Sequence, residues 1–215
     1  MEPLDEQPVI IAGFGRFGQI IGRILAARRI PFTALDSSAA HVDFVKKFGN
    51  EIYYGDASRL DLLRAAKAET AKMIVLAIDD VEASMRTAET VVKHFPHLKI
   101  YARARNRQHA YRLMDLGVTT LRRETFLSSL DLAREVLTGL GMNVAEATKT
   151  VDTFRAHDEK RLFEHYTHYN DTEKMRSLAK ASAKELEEMF ARDAVEGAVG
   201  ADPVVGSAAR KQQRA

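Results

Sequence analysis

The chain has 215 residues, 46% hydrophobic and 29% charged, with 32 basic against 30 acidic side chains for a formal net charge of +2. That length suits one α/β domain with an appendage, and the balanced charge excludes both a disordered polyelectrolyte and a strongly basic nucleic-acid binder. Cysteine is absent, which removes disulfides, thiol catalysis, zinc ribbons and iron–sulfur clusters together. Apolar runs fall short of the roughly 20 residues that cross a bilayer, and the acidic start M-E-P-L-D-E-Q-P is unlike a signal peptide, so the chain reads as soluble.

In chain order, short apolar segments alternate with helix-length stretches. Strands are expected at Val9–Ala12, Phe32–Leu35, Ile52–Tyr54, Met73–Ile78, Lys99–Ala102 and Val118–Leu121. Helices are expected at Gly15–Ala27, Ala39–Phe48, Ser58–Ala65, Val81–Phe95 and Arg107–Leu116. Strand followed by helix, repeated, predicts an α/β fold: a Rossmann-like doubly wound parallel sheet whose strands are buried on both faces. Past Leu121 the pattern turns helical and charged, over Thr125–Leu140 and then about Val144–Arg192, which predicts a helical arm that packs one face on a partner, as a dimerisation arm, or back on its own sheet. Apolar positions such as Leu162, Phe163, Tyr166, Leu178 and Leu186 recur there between charges. From Ala194 periodicity is lost. The expected division is 1–121 nucleotide-binding domain, 122–193 helical arm and 194–215 disordered tail.

Gly13-Phe14-Gly15-Arg16-Phe17-Gly18 follows the first strand and opens the first helix, the context in which G-x-G-x-x-G has physical meaning. Gly13 permits the tight turn, Gly15 lets backbone approach a pyrophosphate, and Gly18 lets the helix lie close to the sheet. Phosphate is expected at the helix N-terminus, with Arg16 clamping it or reaching across an interface. Asp36, at the end of the second strand, is placed to accept from ribose hydroxyls. It favours AMP or NAD(H) over a 2′-phosphorylated nucleotide. Asp56 and Ala57 after the third strand, Ala77, Ile78 and Asp79 after the fourth, and Arg103 after the fifth face the same crevice.

The arrangements of a catalytic site are missing: no Tyr is followed by Lys four residues later, and neither H-E-x-x-H nor a Walker loop occurs. The chain is therefore expected not to be an enzyme, with an NAD-dependent oxidoreductase as the alternative. His165, His168 and Glu164 would form at most half of a metal site, so no metal is expected. Tyr101–Arg123 carries six Arg against one acid, Asp115, yet lacks the interleaved aromatics that stack unpaired bases. A small anionic ligand or an acidic partner fits that segment better than RNA.

Several of these segments resemble a known family: I-I-A-G-F-G-R-F-G-Q at Ile10–Gln19, Y-G-D-A-S-R at Tyr54–Arg59, A-I-D-D at Ala77–Asp80, H-F-P-H-L at His94–Leu98, A-R-A-R at Ala102–Arg105 and R-E-T-F at Arg123–Phe126. From about Pro8 to Met189 the chain is similar to the cytosolic KTN or RCK regulatory domain of bacterial Kef glutathione-gated potassium efflux systems. The resemblance implies a homodimeric gate that glutathione holds closed and glutathione S-adducts open, with a chiefly structural nucleotide. It implies a glutathione pocket of Arg23, Arg123 and a position after Thr153-Phe154-Arg155, where relatives carry Asn and this chain Asp158; a carboxylate there would reject a glutathione carboxylate and bind its amino group. Phe48 matches an aromatic that the adduct displaces. Also implied are a preceding membrane antiporter domain, an auxiliary flavoprotein-like subunit and a place on the cytoplasmic face of the bacterial inner membrane. An RCK subunit of a Trk- or Ktr-type potassium channel is the related alternative.

Overall fold

The computed structural model describes residues 8–38 and 51–199. The helix expected at Ala39–Phe48 lies outside the described residues. The chain divides into two compact units, residues 1–133 and 134–215.

The first unit holds one six-stranded sheet in the order β3-β2-β1-β4-β5-β6. Its strands are β1 (Val9–Ala12), β2 (Phe32–Asp36), β3 (Glu51–Tyr54), β4 (Met73–Leu76), β5 (Lys99–Ala104) and β6 (Thr120–Arg123). Every pairing is parallel, with Val9 opposite both Phe32 and Met73 and Tyr101 opposite Thr120. The sheet is doubly wound and parallel as the alternation of elements predicts, and its order reverses direction between β1 and β4. The helices of the unit are α1 (Arg16–Ala27), α2 (Leu60–Ala65), α3 (Val81–His94) and α4 (Arg107–Asp115); α5 (Phe126–Gly139) begins in it.

Because strand side chains alternate faces, Val9 and Ile11 join Phe14, Phe32, Ala34, Val75 and Ala77 in one core cluster, on which Phe17, Ile21 and Leu25 of α1 pack. The Phe14 and Phe32 rings stack at 5.9 Å, and α1 comes down on them through Gly22, where a Cβ would stand 2.7 Å from the Phe14 ring. Ile10, Leu35, Ile74 and Leu76 are fully buried as well, so both faces of the central strands are covered.

Strand ends depart from the sequence pattern by one or two residues, and local contacts account for the changes in β4, β5 and the start of β6. β4 stops at Leu76 rather than Ile78, because Ala77 and Ile78 pass over Gly13: Ala77 N–H donates to the Ala12 carbonyl (2.7 Å), and a Cβ on Gly13 would lie 2.7 Å from the Ile78 nitrogen. β5 runs on to Ala104, pairing Arg103 with Arg122 and Ala104 with Arg123. β6 begins at Thr120, since the chain leaves α4 through Gly117 at φ +80° and Val118 N–H still bonds back to Leu113.

The second unit contains the rest of α5, then α6 (Val144–Tyr166) and α7 (Thr172–Val199). Asn143 caps α6 by accepting from Glu146 N–H (2.9 Å), and its amide returns a bond to the Glu146 carboxylate (3.1 Å). The stretch read as one helix is broken at residues 167–171, where Asp171 accepts from Lys174 N–H (2.9 Å) and starts α7 afresh. The break also separates the two histidines that sequence spacing put on one helix: His165 is buried on α6, and His168 lies in the exposed turn. An ion pair of Arg161 with Glu185 joins α6 to α7, and Arg161 also pairs with Glu164 one turn along α6 (2.5 Å). Helix continues to Val199, past the expected start of the tail at Ala194. Residues 200–215 lie outside the described residues. Among those described, no helix is long and apolar enough to cross a membrane.

Gly18→Ala would set a Cβ 2.2 Å from the Gly13 carbonyl oxygen, so α1 must move off the turn. Urea denaturation should show a loss of about 1–3 kcal/mol. Gly139→Ala, with nothing within 4 Å of the added carbon, should be neutral or stabilising by up to about 1 kcal/mol. Equal midpoints for the two variants would contradict this packing.

Candidate nucleotide crevice

At the C-terminal ends of β1 and β4, where strand order reverses, a crevice of about 1310 Å³ opens. It exceeds the roughly 300–1,000 Å³ usual for small-ligand sites, leaving room for a mononucleotide or a dinucleotide. Gly13, Gly15, Arg16, Phe17, Asp36, Asp56, Ala57, Ala77, Ile78, Asp79 and Arg103 all line it. Gly18, the remaining sequence-predicted residue, lies beneath the turn and sets the height of α1.

The turn and the helix start form the anion end. Gly13, at φ +90° and against Ile78 backbone, is a position for glycine alone. Gly15 is the N-cap of α1 with φ −69° and ψ −165°, torsions any residue adopts, so its own backbone does not demand glycine. It offers no side-chain cap, and the first turn of α1 carries no acid. In contrast, α3 and α4 are capped by Asp80 and Asn106 (2.7 and 2.8 Å). Free N–H groups at the start of α1 therefore face the crevice with the positive end of the helix dipole. Arg16 is exposed on the rim.

Asp36 does more than wait for a ribose. Its carboxylate is 8% exposed, and it accepts from Phe14 N–H (2.5 Å) and Ser38 N–H (2.7 Å), strapping the glycine turn to β2. Asp56 accepts from Ser58 N–H (2.9 Å); that bond holds its pKa below the ordinary value, with help from the charges of Arg86 and Arg59.

The wall over β4 and β5 is an ion network that the sequence pattern did not reveal. Arg103, 6% exposed, donates to Asp79 (2.5 Å) and to the Ala77 carbonyl (3.2 Å), meets Glu124 at 2.5 Å, and lies 5.6 Å over the Phe17 ring. Arg105 also donates to Asp79. The Asp79 pKa is lowered, first by the Arg105 hydrogen bond and then by the Arg103 and Arg105 charges. Asp79 is thus committed to arginines rather than left free for a ribose. Glu124 was missed as a site residue because it belongs to the crevice only once β6 has paired with β5; its N–H bonds to the Ala104 carbonyl (2.9 Å).

The same pairing corrects the reading of the arginine-rich segment. Arg103 and Arg105 meet Asp79 and Glu124, and Arg112 forks onto Glu82 (2.5 and 2.9 Å), so acids from other elements neutralise much of the local excess. No anionic ligand or acidic partner is needed to balance those three.

Of the residues implied by resemblance, Arg23 is exposed on α1, and Arg123 ends β6 with its guanidinium 3.9 Å over the Phe126 ring. Neither lines the crevice. Asp158 is buried on α6 in the second unit, and Phe48 lies outside the described residues.

Comparison with known proteins places this geometry. The TrkA-N domain family matches residues 9–122, and the potassium efflux system KefB C-terminal domain family matches residues 128–211. The Kef CTD of Shewanella denitrificans, solved in AMP-bound form, is 45% identical with a TM-score of 0.69, the match covering 74% of this chain and 97% of that one. The chain belongs to the Kef-type KTN/RCK regulatory domains. Two more distant structures share the fold of the Kef-type domain. One is the TrkA-N domain of the Escherichia coli inner membrane protein ybaL, at 23% identity and TM-score 0.54, covering 62% of this chain and 96% of that one. The other is the GsuK channel bound to NAD, at 17% identity and TM-score 0.55, covering 61% and 24%. Kef-type domains are ligand-binding regulators of potassium efflux, and both family matches fall on one chain with the crevice in the TrkA-N part.

Asp79→Asn with Glu124→Gln should leave the buried Arg103 uncompensated and cost about 3–5 kcal/mol in urea denaturation, more than the two single losses added. Arg103→Met in that background should restore part of the loss. An additive double variant would refute the shared network. Because the folded Asp79 pKa lies below its ordinary 3.8, its contribution is complete above about pH 4 and fades as pH falls through the lower folded value. Acid-induced destabilisation below that pH should therefore be shallower in Asp79→Asn.

Proposed function

We propose that this domain binds an adenosine nucleotide, AMP or NAD(H), as a structural ligand and uses glutathione and its S-adducts to gate K⁺/H⁺ efflux through a membrane antiporter domain. The observation that carries the nucleotide reading is the pairing, in one crevice, of the uncapped, acid-free start of α1 with the Asp36 carboxylate at the end of β2. A phosphate is drawn to the first, and a 2′,3′-diol donates to the second. An acid at that place disfavours a 2′-phosphate by like charge. The 45% identical relative in AMP-bound form supports the same ligand.

The sensing role is regulatory rather than catalytic. Glutathione carries two carboxylates and one ammonium; Arg23 and Arg123 supply guanidinium forks for its carboxylates, and Asp158 of this chain stands where relatives carry Asn. A bulky substituent on sulfur is accommodated by displacing Phe48, which gives adduct and glutathione different affinities for the two gate positions. Two copies assemble as a homodimer. Exposed apolar side chains on α5 and α6 support this: Leu132 (66%), Val136 (53%) and Phe163 (59%). The domain stands on the cytoplasmic face of the bacterial inner membrane, where a flavoprotein-like auxiliary subunit can reach it.

By calorimetry, Gly15→Val and Asp36→Ala should both weaken AMP binding, the first more. AMP at 100 times its dissociation constant should stabilise the wild type by about 2.7 kcal/mol, and the variants by less. Unchanged AMP affinity in both would refute the nucleotide assignment. Arg123→Ala should weaken glutathione and a fluorescent S-adduct alike, by about 1.5–3 kcal/mol, while leaving AMP binding intact. Wild-type affinity for both thiol ligands would remove Arg123 from the pocket.

A further inference from the structure

The crevice has a direction. Its anion end is the start of α1, and Asp36 marks the ribose. Beyond Asp36, over the ends of β3 and β4, the lining consists of Gly55, Asp56 and Ala57 on one side and Val81, Ala83 and Arg86 of α3 on the other. These two walls are tied together, since Thr90 Oγ1 on α3 donates to the Ser58 carbonyl (3.1 Å). The slot between them is where the base of a nucleotide must go if its phosphate sits on α1 and its ribose on Asp36.

Arg86 is the one cation in this part of the lining. The carboxylates closest to it are already engaged: Asp56 by its own loop at Ser58 N–H, and Glu82 by the Arg112 fork. Arg86 forms no ion pair or side-chain hydrogen bond with a described residue within bonding distance. Its charge acts on Asp56 and Glu82, but the face of its planar guanidinium, on the wall of a slot whose other side is a small, buried Ala57, is a surface for an aromatic ring, which it attracts through the ring's negative face.

We propose that Arg86 stacks on the base of the bound nucleotide and closes the slot opposite Ala57, a role that rests on the nucleotide reading given above. The contact explains how the site holds a purine without a deep apolar pocket: the base is covered by a side chain that folds over it after entry. It also makes the site selective for ligands with an aromatic base over a bare sugar phosphate.

Titration of the whole chain with AMP, and with ribose 5-phosphate in competition against AMP, separates this role from phosphate binding. In Arg86→Ala, AMP should bind about fivefold to thirtyfold more weakly, while ribose 5-phosphate binds as in the wild type. Arg86→Lys keeps the charge and loses the plane, so it should resemble Arg86→Ala. Equal losses for both ligands would make Arg86 a phosphate contact and overturn the proposal, as would wild-type AMP affinity in Arg86→Ala or in Arg86→Lys. If the wild-type chain fails to bind AMP, the nucleotide reading falls and this one with it; normal wild-type binding with an indifferent Arg86→Ala overturns this one alone.

Discussion

Two missing side chains govern the molecule. Gly13 lets the turn after β1 press against the backbone of Ile78, and Gly18 lets α1 rest directly on the carbonyl of Gly13. Only with both can the helix start at the seam where β1 and β4 diverge, with its free N–H groups directed into the crevice. Asp36 then completes the arrangement: by accepting from Phe14 N–H it ties the same turn to β2, so that strand order, helix position and ribose acceptor are parts of one local solution. A carbon atom added at either glycine disturbs all three.

The opposite wall depends on charge. Burying Arg103 is costly unless the donors of its fork are met; the Ala77 carbonyl and Asp79, after β4, and Glu124, after β6, meet its terminal nitrogens, while its Nε has no partner among the described residues. The parallel pairing of β6 with β5 is what delivers Glu124 to that fork. Because Glu124 is the neighbour of Arg123, the segment proposed to hold glutathione is anchored to the wall of the proposed nucleotide site. A ligand that draws on Arg103 would thereby act on the residue beside Arg123, a short physical route between the nucleotide crevice and the proposed glutathione contact.

Much of the first unit was legible in the sequence. The continuous apolar runs of parallel strands buried on both faces, and the glycine spacing placed between a strand and a helix, are local signals, and the doubly wound parallel sheet followed from them; which of the few allowed strand orders it takes did not. Gly13, Asp36 and Arg103 could be placed because each sits at a strand end that those signals locate. What escaped depends on contacts between distant segments. The arginines of residues 101–123 looked unbalanced because Asp79, Glu82 and Glu124 lie outside that window and reach it only through folding. The break at residues 167–171 was hidden because apolar residues recur at three- and four-residue steps on both sides of it, and the capping role of Asp171 is visible only once α7 is seen to begin there. Arg86 drew no notice because a single arginine on a helix face has no pattern of its own.

The central claim, that the crevice is built for an adenosine nucleotide with a free ribose 2′-hydroxyl, is tested most directly by mass spectrometry of whatever the purified protein releases on denaturation. The account predicts AMP or NAD(H) in an amount approaching one per chain. A 2′-phosphorylated nucleotide, or a released ligand with no adenosine, would contradict the roles assigned to Asp36 and to the start of α1.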